Sequence, residues 1–434
     1  MKITINHKYI ALQGLFWMIY CVGVGFISMC LQNNGLNNGE IGVVTASFGL
    51  VSAVLQPALG RICDKHPEVT WKKMLLILSV PIFFICILET FFQGKFWGIF
   101  CVGTLIFLVN TIMPFLNAAL SDYQGQDIYV NFGIARGTGS FTFAVLAVII
   151  GQISLNFGTK AVSVSGIVVS VLFILVVLSL PCKPLNLVSK ETAENSEKVT
   201  TESGEKAAIE SSENVTIKSG ENTASKSKVK IAKKAGEKSF IRKYPSFIVM
   251  FVAFIFSSTS HNLLGTYLLQ FMQSIGGTND QFGIAIAVQA VVEVPVLFLF
   301  AKIVKKISAR NLMLIATIGY GCKAVWYALT GSIVMVYFVQ ITQMISFAIF
   351  ASASVYYTLK AIKKEDQVTG QAMMTSIMVI GSVLGSLIGG MLIDNFGMRA
   401  MLNVNMVIAA IGIVLAFISV FVFTKFDTYG GENE

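Results

Sequence analysis

Four ionisable side chains stand where such groups are rarely tolerated. Glu293 lies near the middle of Phe282–Phe300, a stretch that is apolar apart from Gln289. Lys323 falls within a second apolar stretch and Arg136 near the start of a third. His261 belongs to Ser257-Ser258-Thr259-Ser260-His261-Asn262, a polar patch inside a fourth. On insertion scales an ionised group at the centre of a bilayer costs roughly 2.5–3.5 kcal/mol, so a chain that keeps one generally uses it. A carboxylate that is paired in one conformation and unpaired in another can take up and release a proton. A guanidinium can grip a solute with two hydrogen bonds, and hydroxyls with an imidazole suit a hydroxylated or heterocyclic molecule. The structural alternatives are a permanent Glu293–Lys323 pair, an Arg136 that snorkels to the interface, and a His261 patch that joins helices.

These groups matter only if their surroundings are membrane, and composition says they are. The 434 residues are 55% hydrophobic and 13% charged, against about 25% charged in soluble proteins. Apolar segments of about 20 residues without two-residue alternation fit transmembrane helices and exclude an outer-membrane barrel. The expected fold is an all-α membrane protein with twelve transmembrane helices. They run over Tyr9–Leu31, Ile41–Ile62, Met74–Phe92, Trp97–Leu120, Phe132–Leu155 and Lys160–Leu180. The second six cover Pro245–Met272, the Glu293 stretch, Asn311–Leu329, Ile333–Leu359, Gly370–Ile393 and Ala400–Thr424. The first helix is expected to be retained, since no small-residue cleavage site follows it. Residues 183–243 are rich in Lys, Glu, Ser and Thr and show no apolar period, which predicts a disordered linker between residues 1–182 and 244–434.

The net charge of +9 is not a nucleic-acid signal once its distribution is read. With the N-terminus inside, inner segments hold 15 of the 32 Lys and Arg and the linker 13, while outer loops hold only Lys95, Lys160 and Arg399. Both termini and the linker are therefore expected in the cytoplasm, with the basic face on the inner leaflet. Two landmarks repeat between the halves. Gly151–Gly158 resembles Gly390–Gly397, and Glu40-Ile41-Gly42 resembles Gln281-Phe282-Gly283, each about 240 residues later. Such repeats predict two pseudo-symmetric six-helix bundles with a site between them. Glu89 and Asp394, near outer helix ends, are expected at the interface. Trp17 and Tyr20 face either a cavity or lipid.

The hairpin Gly60-Arg61-Ile62-Cys63-Asp64-Lys65, followed by Lys72-Lys73, resembles the gating signature of the major facilitator superfamily. Ser52–Gly60, Asn131–Ser140 and the placement of Glu293 resemble, more narrowly, its lactose permease branch of oligosaccharide:proton symporters. The resemblance implies gating roles for Gly60, Asp64 and Lys65. It implies sugar contacts for Arg136 and Glu293, with Phe143 where the branch stacks a Trp. Asn117, His261, Lys323 and Gln343 fall on its other polar positions, and Glu293 with Lys323 would couple the proton. Ser346 stands where the branch carries its principal proton-binding Glu, so its coupling scheme does not transfer whole.

The expected function is a proton-coupled importer of a small polar solute, a sugar or oligosaccharide first and a nucleoside next. A proton-coupled drug or metabolite exporter is the alternative. No Walker motif, metal cluster or nucleophile–base pair appears, so neither an enzyme nor a cofactor or metal is expected. The expected partners are a small solute, protons and the cell membrane, and the expected state is a monomer.

Overall fold

The computed structural model describes residues 4–66, 68–182 and 240–423, except for the side chains of Asp64 and Val368, and every regular element among them is helical. The predicted linker lies outside these residues, apart from Phe240–Lys243. Those four residues form a helical turn rather than coil.

The first half contains α1 (Ile5–Tyr20), α2 (Ile27–Asn33), α3 (Asn38–Lys65), α4 (Trp71–Phe91), α5 (Lys95–Gly125), α6 (Phe132–Phe157) and α7 (Lys160–Ser179). The second contains α8 (Phe240–Lys243), α9 (Pro245–Thr266), α10 (Leu268–Ser274), α11 (Asn279–Ile303), α12 (Ala309–Leu329), α13 (Ile333–Ile341), α14 (Phe347–Ala361) and α15 (Gln367–Phe421). α15 carries two spans, because Gly397 breaks it at φ 82°. α1 and α2 form one span through a π-helical turn at Cys21–Gly25, a form concentrated at functional sites. α13 and α14 form another, through a 3-10 turn at Thr342–Met344.

The internal repeat is carried by local geometry. Gly35 and Gly276 both sit at φ 83°, and Gly158 and Gly397 also take positive φ. The first span breaks at Phe26 (φ −108°, ψ 16°) and its repeat at Tyr267 (φ −106°, ψ 18°). At the start of α3, Glu40 N–H donates to Asn37 Oδ1 and Asn37 N–H donates back to Glu40, a capping box. At the start of α11, Thr278 N–H donates to Gln281 at 3.0 Å.

The halves meet at the end opposite the basic loops. Gly42 of α3 lies beneath the Ser386 carbonyl, and Gly390 of α15 beneath the Asn38 carbonyl. The mirror seam joins α6 to α11, where a Cβ on Gly283 would come within 2.5 Å of the Ala147 carbonyl oxygen. Ser28 Oγ donates to the Thr266 carbonyl, and Gln32 Nε2 to Gln273 Oε1 at 3.1 Å. One apolar core runs across both halves here, from Phe26 and Val109 to Leu263, Phe282 and Met401, whereas a second core belongs to the second half alone. A Gly42→Val chain is expected to lose about 1–3 kcal/mol of this closure by overpacking, read as a lowered Tm and slower uptake into proteoliposomes.

At the basic end Gly60, for which the resemblance implies a gating role, has no close neighbour in this conformation. A Cβ there would meet nothing within 4 Å, and Lys65 is exposed. The close glycine contacts between the halves lie at the other end, at Gly42, Gly283 and Gly390. A basic-end cluster secures α8: Lys243 Nζ lies 2.5 Å from Asp366 Oδ2 and 3.1 Å from Glu365, and Tyr244 OH donates to Asp366 at 2.7 Å. The Lys243 and then the Tyr244 hydrogen bonds hold the Asp366 carboxyl below its ordinary range. A depressed carboxyl contributes above its unfolded value and loses that contribution as pH falls through the folded value. α8 should therefore stay docked at neutral pH and loosen only below about pH 4. Asp366→Asn should loosen it at pH 7, seen as faster hydrogen exchange over residues 240–247.

Candidate functional site

A cavity of about 390 Å³ lies between the halves, beneath the closed end. This is within the range of small-molecule sites. α1 brings Trp17 and Tyr20, α3 brings Ser52 and Gln56, and α6 brings Arg136, Ser140 and Phe143. From the second half come His261 and Asn262 on α9, Gln289 and Glu293 on α11, Gln343 from the 3-10 turn and Phe347 on α14.

The charged groups form a chain across the cavity wall. The Arg136 guanidinium lies 4.0 Å over the Trp17 ring and donates through Nη1 to Ser140 Oγ at 2.7 Å. Ser140 follows Arg136 by one helical turn, so both project to the same face. Arg136 Nη2 is 4.0 Å from Glu293 Oε2, which joins the two halves. Gln343 Nε2 donates to Glu293 Oε1 at 3.0 Å, and Lys323 Nζ donates to Gln343 Oε1 at 2.8 Å. Glu293 is 7% exposed and Lys323 2%. The Gln343 orientation is dictated by chemistry, because an ammonium can only donate and a carboxylate can only accept. His261 stacks on Phe347, ring centres 5.5 Å apart, and lies 5.4 Å from Tyr320.

Several sequence expectations change. The direct Glu293–Lys323 pair is replaced by a bridge. The helical break at Thr342–Met344 pushes the Gln343 amide between the two charges, and the cation nearest Glu293 is Arg136. Lys323 sits behind Gln343 and does not line the cavity, so it reaches a solute only through that amide. Asn117 is exposed and outside the lining, whereas Asn110 lines it. The two are about two turns apart on one face of α5, and Asn117 lies nearer the basic end, where the halves diverge. Arg136 does not snorkel: its guanidinium is held by Trp17 and Ser140. Glu89 is not interfacial but buried beside Cys30 and Ser163. Asp394 is exposed near its helix end, in keeping with an interfacial acid, and also engages α3 across the halves.

Phe143, His261, Gln343, Glu293 and Arg136 do come together at the cavity. The sequence left Trp17 and Tyr20 undecided and did not single out Gln56, Asn110, Ser140 or Phe347. Polar residues at one-turn spacing could have flagged Gln56 and Ser140. Nothing in the sequence marks which face of a uniformly apolar helix turns inward.

The MFS_1-like family model matches residues 9–404. The chain belongs to the MFS_1-like family. It is an integral membrane protein and a transporter of the major facilitator type. Its fold is similar to that of the nucleoside transporter NupG, at 16% identity and TM-score 0.71 over 99% of this chain and 100% of that one. It is also similar to a bacterial homolog of the human lysosomal transporter Spinster in its inward-facing, unoccupied conformation, at 14% identity and TM-score 0.64, covering 98% of this chain and 99% of that one. At these identities the likeness establishes the fold. No curated protein matches the chain.

Proposed function

We propose that this transporter imports a small hydroxylated solute together with protons, a sugar or short oligosaccharide first. The observation that carries the reading is the buried Glu293 carboxylate. It faces the cavity and is held between Arg136 of one half and Gln343 of the other. Protonation removes the one negative charge from a group that otherwise contains the Arg136 and Lys323 cations. Those like charges then favour separation of the elements that bear them. Substrate hydroxyls can replace the lost acceptor for Arg136, so solute and proton together permit the two bundles, residues 1–182 and 244–434, to rock. Phe143, Phe347 and Trp17 offer apolar faces to a sugar ring, and Gln289 and Asn262 offer amides.

The positive-inside count supports a cytoplasmic basic end and cytoplasmic termini in a cell membrane, which makes the present conformation open inward. The monomer contains the whole site. Ser52–Gly60 and Asn131–Ser140 support the lactose permease-like branch, with Gly60, Asp64 and Lys65 closing the basic end in the opposite conformation. A nucleoside is the second reading. The amide-rich wall of Gln289, Gln343 and Asn262 can pair with a heterocyclic base as well as with hydroxyls, and the fold is shared with a nucleoside transporter. Uptake of labelled sugars and nucleosides into proteoliposomes tests the proposal. A sugar that enters faster with an inward proton gradient supports it. Gradient-driven entry of nucleosides alone transfers the site to the second reading, and entry indifferent to the gradient removes the coupling.

A further inference from the structure

The two seams that seal the end opposite the basic loops are mirror images in backbone but not in chemistry. In the α6–α11 seam, Gly151 packs on the backbone of Asn279, Asp280 and Gly283, and Phe26 meets Phe282 edge-to-face at 5.4 Å. In the α3–α15 seam the positions of Phe26 and Leu155 are taken by Tyr267 and Asp394. Tyr267 OH donates to the Ser386 carbonyl at 2.6 Å and lies 3.0 Å from the Asn38 carbonyl. Asp394 Oδ2 accepts the Gly39 N–H at 2.6 Å, and Oδ1 accepts from Asn38 Nδ2 at 2.8 Å and Asn38 N–H at 3.3 Å. Leu155 is 53% exposed and makes no equivalent cap.

We propose that Asp394, with Tyr267, is a positioning residue of the transport cycle: a latch that holds the α3 N-terminus and so keeps the end opposite the basic loops closed. Four backbone N–H groups at a helix start lack intrahelical partners, and a carboxylate there is favoured by the helix dipole. The cap is supplied by the other half, so it exists only while the halves are together. Separation therefore strips α3 of its acceptor and leaves Asn37 to hold its first turn. In the α6–α11 seam the carboxylate at the helix start, Asp280, accepts from Thr278 Oγ1 of its own half, so no such bond is lost there. Opening is therefore biased to start between α6 and α11, with the α3–α15 latch releasing last. Among the described residues Asp394 makes no ion pair. Lys95 is paired with Glu40 at 2.9 Å, and Arg399 donates to the Ala328 carbonyl at 2.6 Å. The partners of Asp394 are thus backbone and amide donors rather than a cation.

The inference rests on alternating access, and the test separates the two. Spin labels on keto amino acids would replace exposed Phe96 and Phe396 at the closed end, and exposed Ile62 and Lys364 at the basic end, in the full-length chain with its cysteines intact. Asp394→Ala should add a second, longer closed-end distance and shorten the basic-end distance. Hydrogen exchange at Asn38 and Gly39 should be about tenfold faster, the scale of a lost helix cap. Asp394→Asn, which keeps an acceptor without charge, should fall between. A longer closed-end distance with an unchanged basic end supports the latch and overturns alternation. Unchanged distances and exchange in both variants overturn the latch.

Discussion

Glu293→Gln protein is expected to fold and to exchange labelled for unlabelled solute, yet to accumulate nothing against a gradient. Its inside-to-outside ratio should fall to about one, because binding without differential proton affinity shifts no equilibrium. The amide has nearly the shape of the carboxylate and can still accept from Gln343 Nε2, now at 3.0 Å from the carboxylate. It cannot carry a proton, and it cannot balance Arg136, now 4.0 Å away. Lys323 and Arg136 then face each other across a permanently neutral group, as they would in the protonated wild type. Exchange needs only the loaded carrier to cross, whereas accumulation needs the charge to change on the empty one. Measuring both modes on one preparation checks this, and retained accumulation would remove Glu293 as the proton carrier.

Arg136→Ala should cost about 2–5 kcal/mol, the scale for removing one partner of a desolvated, hydrogen-bonded charge pair. This corresponds to a loss in substrate affinity of ~30-fold to several thousandfold. Three contacts vanish together: the stack 4.0 Å over Trp17, the bond to Ser140 and the charge beside Glu293. Arg136→Lys should recover only part of this. An ammonium cannot lie flat on the indole while pointing donors at both Ser140 and Glu293. Titration of Trp17 fluorescence with substrate gives the affinity, and equal binding by wild type and both variants would show that Arg136 serves only the helix packing.

Fold and site were not equally legible in the sequence. Span lengths, the basic loops and the Gly151/Gly390 and Gly42/Gly283 landmarks follow from solvent and backbone constraints that act locally, so they can be read one segment at a time. Glu293, Arg136, His261 and Gln343 were legible because each violates the apolar setting of its helix. The Glu293–Gln343–Lys323 order was not, because it depends on a helical break at Thr342–Met344 that no proline or glycine marks. Trp17 and Phe347 were hidden for a different reason: in an apolar helix an aromatic suits lipid, core and cavity equally. Asn117 misled because it shares a face with Asn110 but not a depth, and depth relative to the seam between the halves is not a property of one helix. Asp394 is an exposed acid near a helix end, and its part in the seam was not legible because its donors lie on α3, far away in sequence.

Proton movement accompanying solute entry tests the central claim most directly. Wild-type protein is reconstituted into weakly buffered liposomes with the membrane potential clamped, and a transported sugar or nucleoside is added outside while external pH is followed. The account predicts that the medium turns alkaline in step with labelled solute entry, and that Glu293→Gln liposomes show neither accumulation nor the pH change. Solute entry by the wild type without any proton uptake would contradict it.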